Sequence, residues 1–238
     1  MSLSVVLAGR NDLYGGGDFA ARMNRSLASV VPLACEIIMV EWNPPRERPT
    51  LKQVIEHRGI HLITVASEIH GWQHGADLMP MYEYRAKNVG IRRAKGEWIL
   101  VMNSDVELTA AMRERLSLQF EPDCIYGAKR HDIHLGTIVQ VCDGPGDFVL
   151  MRQTNWHRLR GYLDLVSYTH IDSPLWWTAA HFGIKKKILE EYVIHQEHDR
   201  PEQKIRWGIH SSDMRYFIGK RNDENWGLAG VTLSETMT

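Results

Sequence analysis

Apolar residues in the first half of this chain fall into short runs, and between the runs lie segments with helical spacing. Leu3–Ala8, Glu36–Val40, Ile60–Val65 and Glu97–Met102 are aliphatic-rich runs of strand length. Runs of this kind suit strands buried on both faces of a sheet. Between them, Asp18–Val31 places Phe19, Met23, Leu27 and Val30 near helical spacing, and Met81–Ala94 carries Tyr82, Ala86, Val89 and Arg93 along one side. Leu51–Arg58 reads as a shorter helix closed by Gly59. Strands alternating with helices of this length predict βαβ units: an α/β chain with a mostly parallel central sheet flanked by helices.

The second half is less regular. Thr109 is placed to cap a helix through about Phe120, with Met112, Leu116 and Phe120 four apart. Short strands are expected near Ile125–Ala128, Ile138–Cys142 and Phe148–Met151, with helices around Thr154–Arg160 and Pro174–Phe182. A tail rich in His, Asp, Glu and Arg starts at His195. The proline-rich "EWNPPRERPT" (41–50) reads as a surface loop, and nothing else resembles a linker. The expectation is a single domain, 1–238, with one lobe over about 1–108 and a smaller one with a C-terminal tail over about 109–238.

Polar clusters follow three of the strand-like runs: Arg10-Asn11-Asp12, Glu41-Trp42-Asn43 and Asn103-Ser104-Asp105. In an open parallel sheet all three fall at the carboxyl edge, where such folds collect ligands. Alternate side chains of an extended segment point the same way, so Asn103 and Asp105 project together. Oxygen ligands of this type suit Mg²⁺ or Mn²⁺ with phosphate oxygens completing the shell. Taken alone, the tripeptide also suits a polar strand end that caps the next helix.

Charge and composition narrow the field. A net charge of −1 gives no electrostatic reason to expect nucleic acid or an anionic membrane as partner. No apolar stretch approaches the roughly 20 residues of a membrane span, and "MSLSVVLAGRND" lacks the basic lead of a signal peptide. The three cysteines are scattered and odd in number, which reads as reduced, buried thiols in a cytoplasmic protein. Gly15-Gly16-Gly17 matches no phosphate-loop pattern and reads as a flexible turn before a helix capped by Asp18. Among 12 histidines, "HDIH" (131–134) and "HGWQH" (70–74) are close pairs of the kind chance supplies, while His195 and His198 stand nearer the candidate site. Trp156 and Trp176 offer flat apolar faces of the sort that pack on sugars, or on a core. "IKKKILEEY" (184–192) reads as a solvated charged face, and "NWGLAG" (225–230) as a turn packing back on the body.

"AKNVGIRRAKGEWILVMNSDVEL" (86–108) resembles the core of the family 2 glycosyltransferases of GT-A fold, in which a helix bearing Arg-Asn is followed by an apolar strand ending in Asp-x-Asp. "SVVLAGRND" and "CEIIMVEWNPP" resemble the family's first two strands. "GDFVLMRQTNWHRLRGYLD" (146–164) resembles its acceptor-side segment, and "HIDSPLWWTAAHFGIKK" (170–186) its Glu-Asp helix. The likeness runs over about residues 2–195. It implies a GT-A, Rossmann-like fold and transfer of a sugar from a nucleoside-diphosphate sugar to an acceptor hydroxyl, metal-assisted and inverting.

Residue by residue, the resemblance places Glu41, Asn11 and Asp12 at the nucleoside, and Asn88, Asn103 and Ser104 at the donor. Arg85 and Lys87 would be cations for the diphosphate. Asp105 would hold Mn²⁺ or Mg²⁺ with help from His195 or His198. Asp172 would be the general base, with Asp147 or Asp143 next in line, and Asp147, Trp156 and Trp176 would face the acceptor. Three departures stand out: Asn103 replaces the first Asp of Asp-x-Asp, Ile171 the Glu before the base, and Pro174 a later Asp. They keep a non-catalytic nucleotide- or sugar-binding module in play. A nucleotidyltransferase on a related sheet is the other alternative, although its Lys-bearing glycine loop is missing.

Overall fold

Leu3–Gly9 is buried at every position and forms β1, in the interior of a ten-stranded sheet. The protein is described here from a computed structural model, covering residues 2–14, 16–144, 146–167, 171–198 and 213–238. β2 (Glu36–Trp42), β3 (Ile60–Val65) and β4 (Trp98–Met102) join β1 in parallel, in the order β3-β2-β1-β4. The first half thus forms the parallel sheet that its alternating pattern predicts.

Beyond β4 the directions mix. β8 (Phe148–Arg152) runs antiparallel to β4, and β6 (Cys124–His134) antiparallel to β8. β9 (Lys185–Gln196) then pairs in parallel with β6, and the short β5 (Val106–Leu108) pairs antiparallel with β9. β7 (Thr137–Asp143) folds back on β6 as an exposed hairpin arm, and β10 (Ser234–Met237) closes the far edge against β3.

Helices cover both faces. α4 (Glu83–Arg93), α6 (Gln153–Leu159) and α7 (Asp172–His181) pack over Val6, Val40, Val101 and Val149 on one side. α1 (Phe19–Val30) and α5 (Ala110–Leu116) pack over Val5, Leu7, Leu100 and Leu150 on the other. The two sets of valines and leucines alternate along each strand, as the pleat requires. Gly90 lets α4 lie close to β1, since a Cβ there would sit 2.5 Å from Val6 Cγ1. Two one-turn helices complete the set, α2 (Leu51–Val54) and α3 (Ser67–Gly71).

Several elements differ from the sequence expectation for identifiable reasons. The helix expected over 51–58 stops at Val54 because the Asn24 amide takes the Val54 carbonyl (2.8 Å) and the Glu56 N–H (3.1 Å), drawing the chain into tertiary bonds. The charged run 184–192 lies largely in β9; its lysines and glutamates face solvent while Leu189 and Val193 turn inward. Asp18 makes no side-chain cap on α1 and instead pairs with Arg22. Gly15 lies outside the described residues. All three cysteines are free, but only Cys124 is fully buried; burial still pushes the partly exposed Cys35 thiol up to about 11. No helix among the described residues is long and apolar enough to cross a membrane.

Candidate active site

The carboxyl ends of β1 and β4 open into a cleft of about 190 Å³. Its floor is Gly9 and Asn103-Ser104-Asp105, one side carries Arg10 and Asp12, and Met79, Met81 and Tyr84 form a mostly apolar wall. The β4–β8 pairing is carried one residue past Met102 by the Asn103 N–H, which donates to the Asp147 carbonyl at 3.1 Å.

Asp105 is the centre of charge. Its Oδ2 lies 3.1 Å from His198 Nε2 and 3.6 Å from His195 Nε2. Backbone register delivers these neighbours: His195 pairs across the sheet with Val106, and the Gln196 N–H donates to the Asp105 carbonyl at 3.0 Å. Burial alone would raise the Asp105 carboxyl, but hydrogen bonds and charge from the two histidines outweigh it and hold the group well below the usual carboxylate range. Burial lowers His195 in turn, yet the Asp105 bond and the charges of Asp105 and Asp147 carry it upward overall. Asp105 Oδ1 is buried and accepts no hydrogen bond from the described residues. One carboxylate and two imidazoles, with ligand atoms within 4.8 Å of one another and one oxygen unsatisfied, fit a divalent cation.

Asn103 is held on both sides. Its Oδ1 accepts from the buried Lys87 ammonium, which also pairs with Glu83 at 2.6 Å, and its Nδ2 donates to Asp147 Oδ1 at 3.0 Å. Lysine only donates, so it fixes the orientation of the amide. Asp172 is not among the residues that line the cleft; it opens α7 against Gly146, where a Cβ would meet its Oδ2 at 2.5 Å. Burial pushes the Tyr84 phenol far above its ordinary value, and the charges of Asp172, Glu83 and Asp147 add to the shift. A tyrosine of the cleft wall therefore feels the Asp172 carboxylate.

Asp12, Asn103, Ser104 and Asp105 line the cleft, with His195, His198, Lys87 and Asp147 bonded around them. Other expected site residues do not reach it. Glu41 is 1% exposed; its oxygens take the Leu51 N–H (2.6 Å) and the Thr64 hydroxyl (3.3 Å), so it anchors the start of α2. Asn11 is buried and donates to the Pro49 carbonyl at 2.8 Å. Arg85 lies over the Tyr82 ring, 4.4 Å from its centroid. Asn88 is a fully buried clip that bonds both the N–H (2.8 Å) and the carbonyl (2.7 Å) of Tyr162. Trp156 is entirely buried, its indole donating to the Ile99 carbonyl at 3.1 Å, so it faces no acceptor. Trp176 is packed at Gly127 in the core. Asp143 stands at the exposed end of β7.

Of the two arginines that line the cleft, Arg22 escaped the sequence reading, and Arg10 was placed at the sheet edge without a role. Arg10 is held by the Asn43 carbonyl (2.6 Å) and by Asp12 (2.8 Å), while Arg22 is buried in α1 and donates to the Tyr14 carbonyl at 3.0 Å. Arg22 stands three residues after Phe19, on the apolar face of its helix, and a charge placed there was the available signal. Asp132, a fully buried carboxylate that faces His195 Nδ1 at 3.4 Å, was hidden inside the "HDIH" pair.

No protein-family model matches the chain, and no curated protein does. Solved structures do. A mannosyltransferase from Pyrobaculum calidifontis, PcManGT, in complex with GDP-Man and Mn²⁺, is 13% identical with a TM-score of 0.57, over 84% of this chain and 58% of that one. S. aureus TarS 1–349 in complex with UDP-GlcNAc is 13% identical with a TM-score of 0.61, over 87% of this chain and 62% of that one. A further structure of S. aureus TarS gives 15% identity and a TM-score of 0.58, over 83% of this chain and 37% of that one. The fold is that of the GT-A glycosyltransferases, and the chain spans about three fifths of the first structures it matches.

Proposed function

We propose that this chain transfers a glycosyl unit from a nucleoside-diphosphate sugar to an acceptor hydroxyl, with inversion at the anomeric carbon. The observation that carries the reading is Asp105, half-buried between two histidines at the carboxyl end of β4 and open to a cleft. GT-A neighbours that hold GDP-Man with Mn²⁺, or UDP-GlcNAc, support it.

Asp105, His195 and His198 would hold Mn²⁺ or Mg²⁺. When bound, such an ion would supply Lewis-acid neutralisation of the diphosphate's negative charge. Arg10 and Arg22 add positive potential along the same wall, and Met79 and Met81 exclude water from the sugar side. Asp172 takes the proton of the acceptor hydroxyl as its oxygen bonds to the anomeric carbon. The bond from that carbon to the phosphate oxygen breaks on the opposite face, and its electron pair leaves with the nucleoside diphosphate. Asp147 is less suited to the base role, because Asn103 and Arg130 already donate to its two oxygens. A reducing, cytoplasmic setting fits the three free cysteines.

Release of nucleoside diphosphate from GDP-mannose and from UDP-GlcNAc, with Mn²⁺ present, tests the reading. Asp105→Ala is expected to abolish release of whichever nucleotide the wild type produces. Equal release by variant and wild type overturns the reading.

A further inference from the structure

β6 and β9 run in parallel with Asp132 and His195 as direct cross-strand partners. The Asp132 side chain is fully buried, an environment that disfavours an isolated charge. Arg130, two residues earlier on the same face of β6, answers it with a fork: Nε donates to Oδ1 at 2.6 Å and Nη2 to Oδ2 at 3.0 Å. The same guanidinium reaches Asp147 through Nη1. Asp147 in turn accepts from Asn103, two residues before Asp105. A continuous polar path thus runs from the amide at the cleft floor, through Asp147, Arg130 and Asp132, to His195 and back to Asp105.

Buried ion pairs of this kind contribute little net stability, since desolvation offsets most of their attraction. The feature this one is built around is His195 Nδ1. That nitrogen is buried, makes no hydrogen bond among the described residues, and lies 3.4 Å from Asp132 Oδ1 and 3.4 Å from Glu197 Oε2. On the other side of the ring, Nε2 faces Asp105. An imidazole that ligates through Nε2 is neutral and carries its proton on Nδ1, and a carboxylate accepting that N–H sets both tautomer and ring orientation.

We propose that Asp132, clamped by Arg130, is the positioning residue that turns His195 Nε2 toward a divalent cation at Asp105. Through Arg130 the same clamp fixes Asp147 on the acceptor side, so one guanidinium braces both halves of the cleft. The inference rests on the metal-assisted reading above and adds to it the residues that pre-set the metal ligand.

The test is Mn²⁺ affinity, measured by calorimetric titration with UDP or GDP present, in wild type, Asp132→Asn, His195→Gln and the double variant. Asp132→Asn is expected to weaken Mn²⁺ binding about 10- to 100-fold. The loss should vanish when the substitution is made in the His195→Gln background, because a residue acting through His195 has no further effect once that ring is gone. A purely structural role would give the same loss in both backgrounds, and that result overturns the proposal. So does Asp132→Asn binding Mn²⁺ as tightly as wild type.

Should Asp132→Asn fail to fold, the double replacement Arg130→Met/Asp132→Leu removes the buried pair as a unit; it also takes Arg130 from Asp147, which keeps the Asn103 amide, so Arg130→Met alone is measured beside it. The same weakening of Mn²⁺ binding is expected there, and unchanged affinity overturns the proposal. Asp105→Ala separates the two levels. If it loses Mn²⁺ while the Asp132 variants keep it, the glycosyltransfer reading stands and the positioning role falls. If it binds Mn²⁺ like wild type, both fall.

Discussion

Asn103 and Asp147 are joined by two hydrogen bonds, from the Asn103 main-chain N–H to the Asp147 carbonyl at 3.1 Å and from the Asn103 amide to Asp147 Oδ1 at 3.0 Å. The amide is therefore a connector between the two halves of the cleft rather than an unused metal ligand. Restoring an Asp-x-Asp sequence by Asn103→Asp would set two carboxylate oxygens at hydrogen-bond distance with no proton between them. Lys87 would offset part of this repulsion, since it already bonds the Asn103 oxygen. The expected result is a loss of about 1–3 kcal/mol in stability, typical of an unmade buried bond, and no gain in Mn²⁺ affinity. Thermal melts with and without Mn²⁺ check both; a variant as stable as wild type with tighter Mn²⁺ binding would refute the connector role.

That connection shows where sequence reasoning stops. The parallel half of the sheet was legible because each strand is a run of aliphatic residues and each crossover has helical spacing. Asp105 was legible because it ends such a strand. Glu41, Asn88 and Trp156 fooled the reading for a shared reason: position in a motif does not say which way a polar side chain bonds. Glu41 turned to the Leu51 N–H, Asn88 to the Tyr162 backbone and Trp156 to the Ile99 carbonyl. Asp132 and Arg130 were invisible because their partner, His195, arrives through a parallel β6–β9 pairing about sixty residues away, which no local pattern encodes.

His70 gives the fold an acid-sensitive strap. The Trp42 indole N–H donates to His70 Nδ1 at 2.9 Å, so that nitrogen must carry a lone pair, and Nε2 meets the Ala76 carbonyl at 3.1 Å. Only one neutral tautomer satisfies both bonds. Burial holds the His70 pKa below 6.5, the nearby charges of Arg10 and Arg85 push the same way, and the Ala76 bond opposes them. A depressed histidine contributes stability that is present above the unfolded pKa, near 6.5, and is lost as pH falls through the folded value. Ala76 leads into Met79–Met81, the wall of the cleft. Urea midpoints measured from about pH 7.5 down to about pH 5 should fall more steeply for wild type than for His70→Gln. Parallel curves would show that His70 does not set this dependence.

The ligand chemistry at Asp105 discriminates between metals. Two of its three candidate ligands are imidazoles, and Mg²⁺ prefers oxygen donors and retains its waters, whereas Mn²⁺ accepts nitrogen more readily. Mn²⁺ should raise the melting temperature at lower concentration than Mg²⁺, since a ligand bound only to the native state stabilises it by RT ln(1 + L/Kd), with L the free ligand concentration, and this grows as Kd falls. His198→Ala, which removes one imidazole, should narrow the difference between the two metals. Equal midpoints for Mg²⁺ and Mn²⁺ in the wild type would mean that the histidines are not ligands.

Asp172 is the proposed proton acceptor, and it stands at the first turn of α7 against Gly146, on a different element from the strand end that carries Asp105. A base that acts only on the acceptor hydroxyl contributes to the transition state and not to donor binding. Asp172→Asn should therefore cut kcat by about 10²- to 10⁴-fold and leave the stabilisation by Mn²⁺ and nucleotide intact. The pressed contact offers an independent handle: Gly146→Ala places a methyl group where the Asp172 carboxylate now lies. It should lower kcat with Asp172 still present, by displacing the base without removing it. If Asp172→Asn turns over normally while Asp147→Asn does not, the base belongs to Asp147, and the bonds from Asn103 and Arg130 would have to be read as holding it in place for that task.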